Sequence, residues 1–199
     1  MQISAAICSA FSTTVRASRS VFCSNARAAA NGAFYFGPLW KEHRSTLNEL
    51  ILDNDDVLLL EPLDPERGIP VLPAVDPVRE AAGARGVIVA QIFAVEPGGV
   101  AALARAAEPA FAAYRAAGAR EAGVLVTLDV ANNFPQHPVR ADGPFLVWLG
   151  ILEGEGALTE RFAPLADRSA QVLSATGLLR GAPELVVLDP GPRSRLRWV

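Results

Sequence analysis

From Gly86 onward the apolar and polar positions of the chain fall into four extended runs and two helical stripes. Residues 87–95 are almost continuously apolar and are closed by Glu96-Pro97-Gly98-Gly99, which predicts a buried strand ending in a turn. Val100, Leu103, Ala107, Phe111 and Tyr114 then recur at helical spacing, with a kink or break expected near Pro109 and a stop at Gly118. Val124, Val126, Leu128 and Val130 alternate with Leu125, Thr127 and Asp129, the period of a half-buried strand. A polar loop over 131–143 leads to the fully apolar strand 145–152. A helix over 156–176, its main part opened by Pro164, and a last strand over 185–188 complete the series. The order β-α-β-β-α-β predicts an α+β, ferredoxin-like fold: four antiparallel strands with both helices on one face. The other face, rich in Val, Ile and Leu, needs a cover of its own. A second sheet would supply it, from a pseudo-repeat or another subunit. That arrangement, a dimeric α/β barrel, predicts a homodimer.

The chain also repeats itself. Phe36-Gly37-Pro38-Leu39 opens a helical pattern (Leu39, Leu47, Leu50, Ile51) that ends in the strand-like run 57–60. Phe162-Ala163-Pro164-Leu165 opens a similar one ending in Leu185-Val186-Val187-Leu188. A helix-then-strand unit stated twice implies two related domains. Proline suits the first helical turn in both copies. The pattern divides the chain into an N-terminal segment (1–31), a helix-strand remnant of a first domain (32–61), a proline-rich linker (62–85) and a complete domain (86–199).

Composition removes several function classes. The 199 residues carry a net charge of -3 and no Lys/Arg stripe, which argues against nucleic acid as a partner. No apolar run reaches the roughly 20 residues that span a bilayer. Cys8 and Cys23 match neither a redox pair nor a zinc site, consistent with a reducing, cytoplasmic setting. With two histidines in all no metal is expected, and without a phosphate loop, dinucleotide fingerprint or nucleophile elbow no cofactor either. Met1 to Ala30 contains no acidic residue. It reads as a disordered or misassigned N-terminus, with a transit peptide as the alternative.

Three segments resemble the NIPSNAP family. Ala33-Phe34-Tyr35-Phe36-Gly37-Pro38-Leu39-Trp40-Lys41-Glu42-His43-Arg44, followed by Asp53-Asn54-Asp55-Asp56-Val57-Leu58-Leu59-Leu60, is similar to the end of that family's first domain. Asn133-Phe134-Pro135-Gln136-His137-Pro138-Val139-Arg140 is similar to a loop of its second half, and Pro192-Arg193-Ser194-Arg195-Leu196-Arg197 to its terminal stretch. The resemblance implies tandem ferredoxin-like domains of the dimeric α/β barrel class, with the first domain incomplete here.

Candidate binding residues follow from polar groups in apolar settings. Trp40 and His43 share a helical face, either as a ligand contact or as a core tryptophan beside a solvated histidine. Asn133, His137 and Arg140 form a polar cluster able to orient a carbonyl or carboxylate, although turn chemistry alone explains Asn and Pro there. Gln91, Thr127, Asp129 and Trp148 would line a barrel cavity if their strand faces turn inward. A buried Asp129 would then have a raised pKa and serve as a base. No catalytic residue is assigned, and whether the chain is an enzyme stays open. The leading expectation is a small-molecule-binding or assembly protein for an apolar or aromatic ligand. The alternative is a cofactor-independent, monooxygenase-like enzyme acting on an aromatic or quinol substrate.

Overall fold

The computed structural model describes residues 28–50, 57–65, 68–70, 72–76, 78–133 and 138–199, side chains at 47, 48 and 50 excepted. Cys8, Cys23 and His137 lie outside them, as do residues 1–27 of the N-terminal segment. The chain divides into two compact units, Met1–Leu60 with Thr127–Ala141, and Glu61–Val126 with Asp142–Val199.

In the first unit a helical stretch over 28–35 turns at Phe36-Gly37 into helix α1 (Pro38–Leu50). The strand expected over 57–60 begins later: β1 is Leu60–Pro62. Val57 and Leu59 are buried outside any ladder, and their carbonyls accept from the Arg140 and Leu128 amides at 2.9 and 2.8 Å.

The second unit has the expected order: β2 (Val87–Ala94), α2 (Val100–Ala116), β3 (Arg120–Thr127), β4 (Phe145–Leu152), α3 (Ala163–Ser174) and β5 (Glu184–Leu188). The sheet runs β1-β3-β4-β2-β5, and the ladders of β2 with β4, β2 with β5 and β3 with β4 are antiparallel. Without β1 this is the ferredoxin-like order. Both FxPL segments do open helices followed by strands. The second adds a π-helical turn, Ala157–Phe162, ahead of α3.

Helix α2 runs through Pro109 without the break that the sequence allowed. Pro109 and Arg105 both face solvent, so the Arg105 carbonyl that loses its helical donor is not stranded in the core. After α2 the chain turns at Gly118, whose φ of 94° a side chain would strain.

Strand alternation gives the sheet two faces. Val87, Val89 and Phe93 of β2 and Leu146, Trp148 and Leu152 of β4 meet Leu103, Phe111 and Tyr114 of α2 and Phe162, Ala166 and Leu173 of the second helical segment in one core. The opposite face presents Ile88, Ala90, Ile92, Phe145, Val147, Leu149 and Ile151, none more than 7% exposed in the single chain. The face expected to be bare is thus buried in the single chain. Part of the cover is visible at Gly123, where Ile69 stands 3.6 Å from the position a Cβ would take. The proline-rich segment is fastened to the C-terminal tail by Leu72 N–H to Arg195 O (3.2 Å), Ala84 N–H to Pro192 O (2.9 Å) and Trp198 N–H to Arg85 O (2.9 Å).

Candidate functional site

The residues chosen from sequence are divided between the two units. Trp40 is half-buried against Phe34 and Tyr35, with ring centroids 5.5 and 4.7 Å away, while His43 is exposed beside Glu42. Asn133 and Arg140 are half-buried in the first unit, as is Thr127. Asp129 is exposed, not buried as a barrel-lining base would be. Gln91 and Trp148 lie in the second unit and point into the helix-covered core, not toward the opposite sheet face. The supposition that Gln91, Thr127, Asp129 and Trp148 line one barrel cavity is corrected on this point.

Gln91 instead closes a ring with two residues that periodicity had marked only as helical. Its Nε2 donates to the Ala166 carbonyl at 3.2 Å and to Ser169 Oγ at 3.3 Å, and its Oε1 accepts from the Tyr114 hydroxyl at 2.7 Å. The Tyr114 and Ser169 hydroxyls are in direct contact, and Ser169 also reaches the Ala166 carbonyl at 2.8 Å. With the serine proton on Tyr114, every hydrogen of the three side chains has an acceptor. Amide, serine and phenol then donate in one direction around the ring, an arrangement in which each bond polarises the next. Burial raises the Tyr114 pKa above the ordinary value, opposed by its bonds to Ser169 and Gln91. The phenol is neutral and closed off from solvent.

Trp148 packs on this ring, 4.9 Å from Tyr114 and 5.5 Å from Phe162, centroid to centroid. Its indole lies where a side chain at Gly150 would stand, two residues on along the same face of β4. Gly150 pairs with Glu121 of β3. The missing side chain thus lets the indole lie flat, and Trp148 Nε1 donates to Glu121 Oε2 at 3.1 Å. A β-bulge between Glu121 and Gly123 makes this contact available. Without the extra residue, Glu121 would share a face with Gly123 and Leu125 instead of Val124 and Val126.

Glu121 also pairs with Arg115 of α2, which reaches Glu108 one helical stripe away at 2.5 Å. The Glu108 bond raises the Arg115 pKa further, Glu121 adds to it, and desolvation opposes both. This chain of charges borders a partly open groove of about 320 Å³. Leu63, Pro70, Phe111 and Val124 are among its apolar walls, and Asp64, Glu108 and Glu121 are the charged residues of its described lining. The stripe Ala104, Glu108, Phe111, Arg115 follows the i, i+4, i+7, i+11 spacing of one helix face, the signal by which the sequence announces this site. The bulge that adds Glu121 leaves no such mark. Among the described residues no group of three His, Cys, Asp or Glu side chains is placed to hold a metal ion, and no helix is long and apolar enough to cross a membrane.

No family profile matches the chain, and no curated protein matches it in sequence. Among solved structures it is similar to a monooxygenase from the gene ActVA-Orf6 of Streptomyces coelicolor, solved in complex with the ligand Nanaomycin D. Identity is 19% and the TM-score 0.39, over 58% of this chain and 95% of that one. The ferredoxin-like assignment itself stands on the strand order.

Proposed function

We propose that this chain is a NIPSNAP-like, small-molecule-binding protein whose ligand sits in the groove between α2, the start of β3 and Leu63, Asp64, Gly68 and Pro70. The observation that carries this is the groove's construction. Its volume of about 320 Å³ falls at the lower end of the roughly 300–1,000 Å³ typical of ligand sites, and its lining sets the apolar side chains of Leu63, Phe111 and Val124 beside Asp64, Glu108 and Glu121. NIPSNAP kinship rests on the three segments quoted above, and a cytoplasmic setting on composition. Binding is favoured over turnover because Gln91 and Trp148, expected to line a reactive barrel cavity, are packed in the helix-covered core instead.

Heteronuclear NMR with small aromatic fragments tests the proposal. A fragment of about ten heavy atoms is expected to bind with a Kd near 1 mM, at about 0.3–0.4 kcal/mol per atom, and to shift amides of Ala104, Phe111 and Val124. Ala104→Trp, which places an indole in the groove, should abolish those shifts. Binding that survives this variant, or shifts confined to the first unit, would refute the assignment. Consumption of the fragment on prolonged incubation would restore the enzyme alternative.

A further inference from the structure

We infer that the C-terminal tail positions one wall of this groove, and that a bound guest in turn holds the tail in place, a role that rests on the binding reading above. That wall is made by Leu63, Asp64, Gly68 and Pro70. Residues 63–65 and 68–70 belong to no helix or strand, so individual contacts rather than a ladder set their position. At one end the Leu63 N–H donates to the Val124 carbonyl of β3 at 2.8 Å. At the other, two residues past Pro70, Leu72 is bonded to the tail in both directions: its N–H donates to the Arg195 carbonyl at 3.2 Å, and its carbonyl accepts from Arg195 Nε at 2.8 Å. The Pro73 carbonyl next to it accepts from Nη1 of the buried Arg197 at 2.7 Å. Pro70 lies no more than about 7 Å of chain from Leu72. Proline's fixed φ, and the restriction it places on Ile69 before it, leave this stretch little torsional slack. The fastening at Leu72 is therefore felt at Gly68 and Pro70. A guest packed on those residues binds the fastened form in preference to one whose tail has come away, and by linkage it must disfavour release of the tail by the same factor. A wall fixed only by Ile69 against Gly123 would instead leave tail and groove independent.

Amide hydrogen exchange on the full chain tests this, with 3-phenylpropanol as a neutral probe and under conditions where exchange follows the opening equilibrium. The probe's Kd is taken from its shifts at Ala104, Phe111 and Val124. At about ten times that concentration the Leu72 amide should exchange about tenfold more slowly than in the free protein. Ala84, whose donor closes on Pro192 farther along the same segment, should slow less. Thr176, bonded to the Leu173 carbonyl at the end of α3, should not change. Arg195→Ala removes an exposed side chain and its Nε bond to Leu72, so Leu72 should exchange about three- to tenfold faster in the free variant. The alcohol should restore the same slowing there. If the probe shifts the groove amides while Leu72 exchanges as before, or Leu72 and Thr176 slow alike, the tail does not hold the wall although the groove binds. Unchanged Leu72 exchange in Arg195→Ala would equally overturn the tail's role. If the alcohol shifts no groove amide, the binding reading falls and the tail's role with it.

Discussion

Tyr114 carries its hydroxyl into a core from which water is excluded, so the partners of that single O–H decide what the residue contributes. Tyr114→Phe takes from Gln91 Oε1 its 2.7 Å donor, leaving it only the Ser169 hydroxyl at 3.5 Å, and removes the contact to Ser169. A buried acceptor left unsatisfied costs about 1–3 kcal/mol, to be read from urea unfolding. Replacing all three partners together (Gln91→Met, Tyr114→Phe, Ser169→Ala) should cost less than the sum of the single changes, because no member is then stranded. Strictly additive losses would mean that the three side chains do not act as a ring. The same tyrosine shapes the alkaline limb of stability. Desolvation raises its pKa in the folded chain above 10.0, so the folded state keeps a proton that the unfolded chain gives up. This contribution is complete below pH 10 and is lost as pH climbs toward the folded value. The Tyr114→Phe chain should therefore show a shallower decline above pH 10 than the parent.

Strands β3 and β4 make their site through two irregularities, a glycine and a bulge. Gly150→Ala would drive a methyl into the Trp148 indole. Overpacking of this kind costs about 1–3 kcal/mol. Trp148→Phe should offset part of that loss in the double variant, since the smaller ring vacates the space. A double variant as unstable as the two single losses combined would show that Gly150 serves something other than the indole. These strands also show how far the sequence can be read. Phe145 to Leu152 was legible to the residue because eight consecutive apolar positions admit little but a buried strand. Strand β3 was misplaced by several residues: the alternation of Val124 to Val130 was visible, but Arg120-Glu121-Ala122-Gly123 spells no period where a bulge interrupts it. Helix α2 was read correctly apart from the break allowed at Pro109, since periodicity cannot say that this residue faces water. The candidate site was less legible still. Gln91 was noticed as a polar residue in an apolar strand, but the face it turns to depends on which side the helices cover. Glu121 gave no sign, being one acidic residue between an arginine and an alanine until the bulge turned it inward.

In the second unit the C-terminal tail joins parts of the chain far apart in sequence, and Arg197 holds the join. Only 8% exposed, it donates from Nη1 to the Pro73 carbonyl at 2.7 Å and to the Ser194 carbonyl at 3.1 Å, and Nη2 stands 3.6 Å from Glu80 Oε2. Its neighbours reinforce the attachment: Arg120 stacks on Trp198 at 5.6 Å and donates to the Val199 carbonyl at 2.5 Å. Magnitudes decide which of Arg197's contacts matters. The Glu80 pair is long and half open to solvent, a setting in which ion pairs contribute about 0–1 kcal/mol. The two carbonyls bond a charged donor in a buried place, for about 1.5–3 kcal/mol each. Arg197→Met should therefore cost about 2–4 kcal/mol by chemical denaturation, largely independent of salt, and Glu80→Gln less than about 0.5. Arg197→Lys should fall between, because an ammonium keeps the charge but cannot reproduce the planar fork that serves two carbonyls at once. Loosening the tail also loosens the proline-rich segment that it fastens, so amide exchange at Leu72 and Ala84, whose donors close on Arg195 and Pro192, should quicken in the methionine variant before global unfolding. Equal losses from Glu80→Gln and Arg197→Met, both vanishing in high salt, would place the strength of the join in its ion pair and overturn this account.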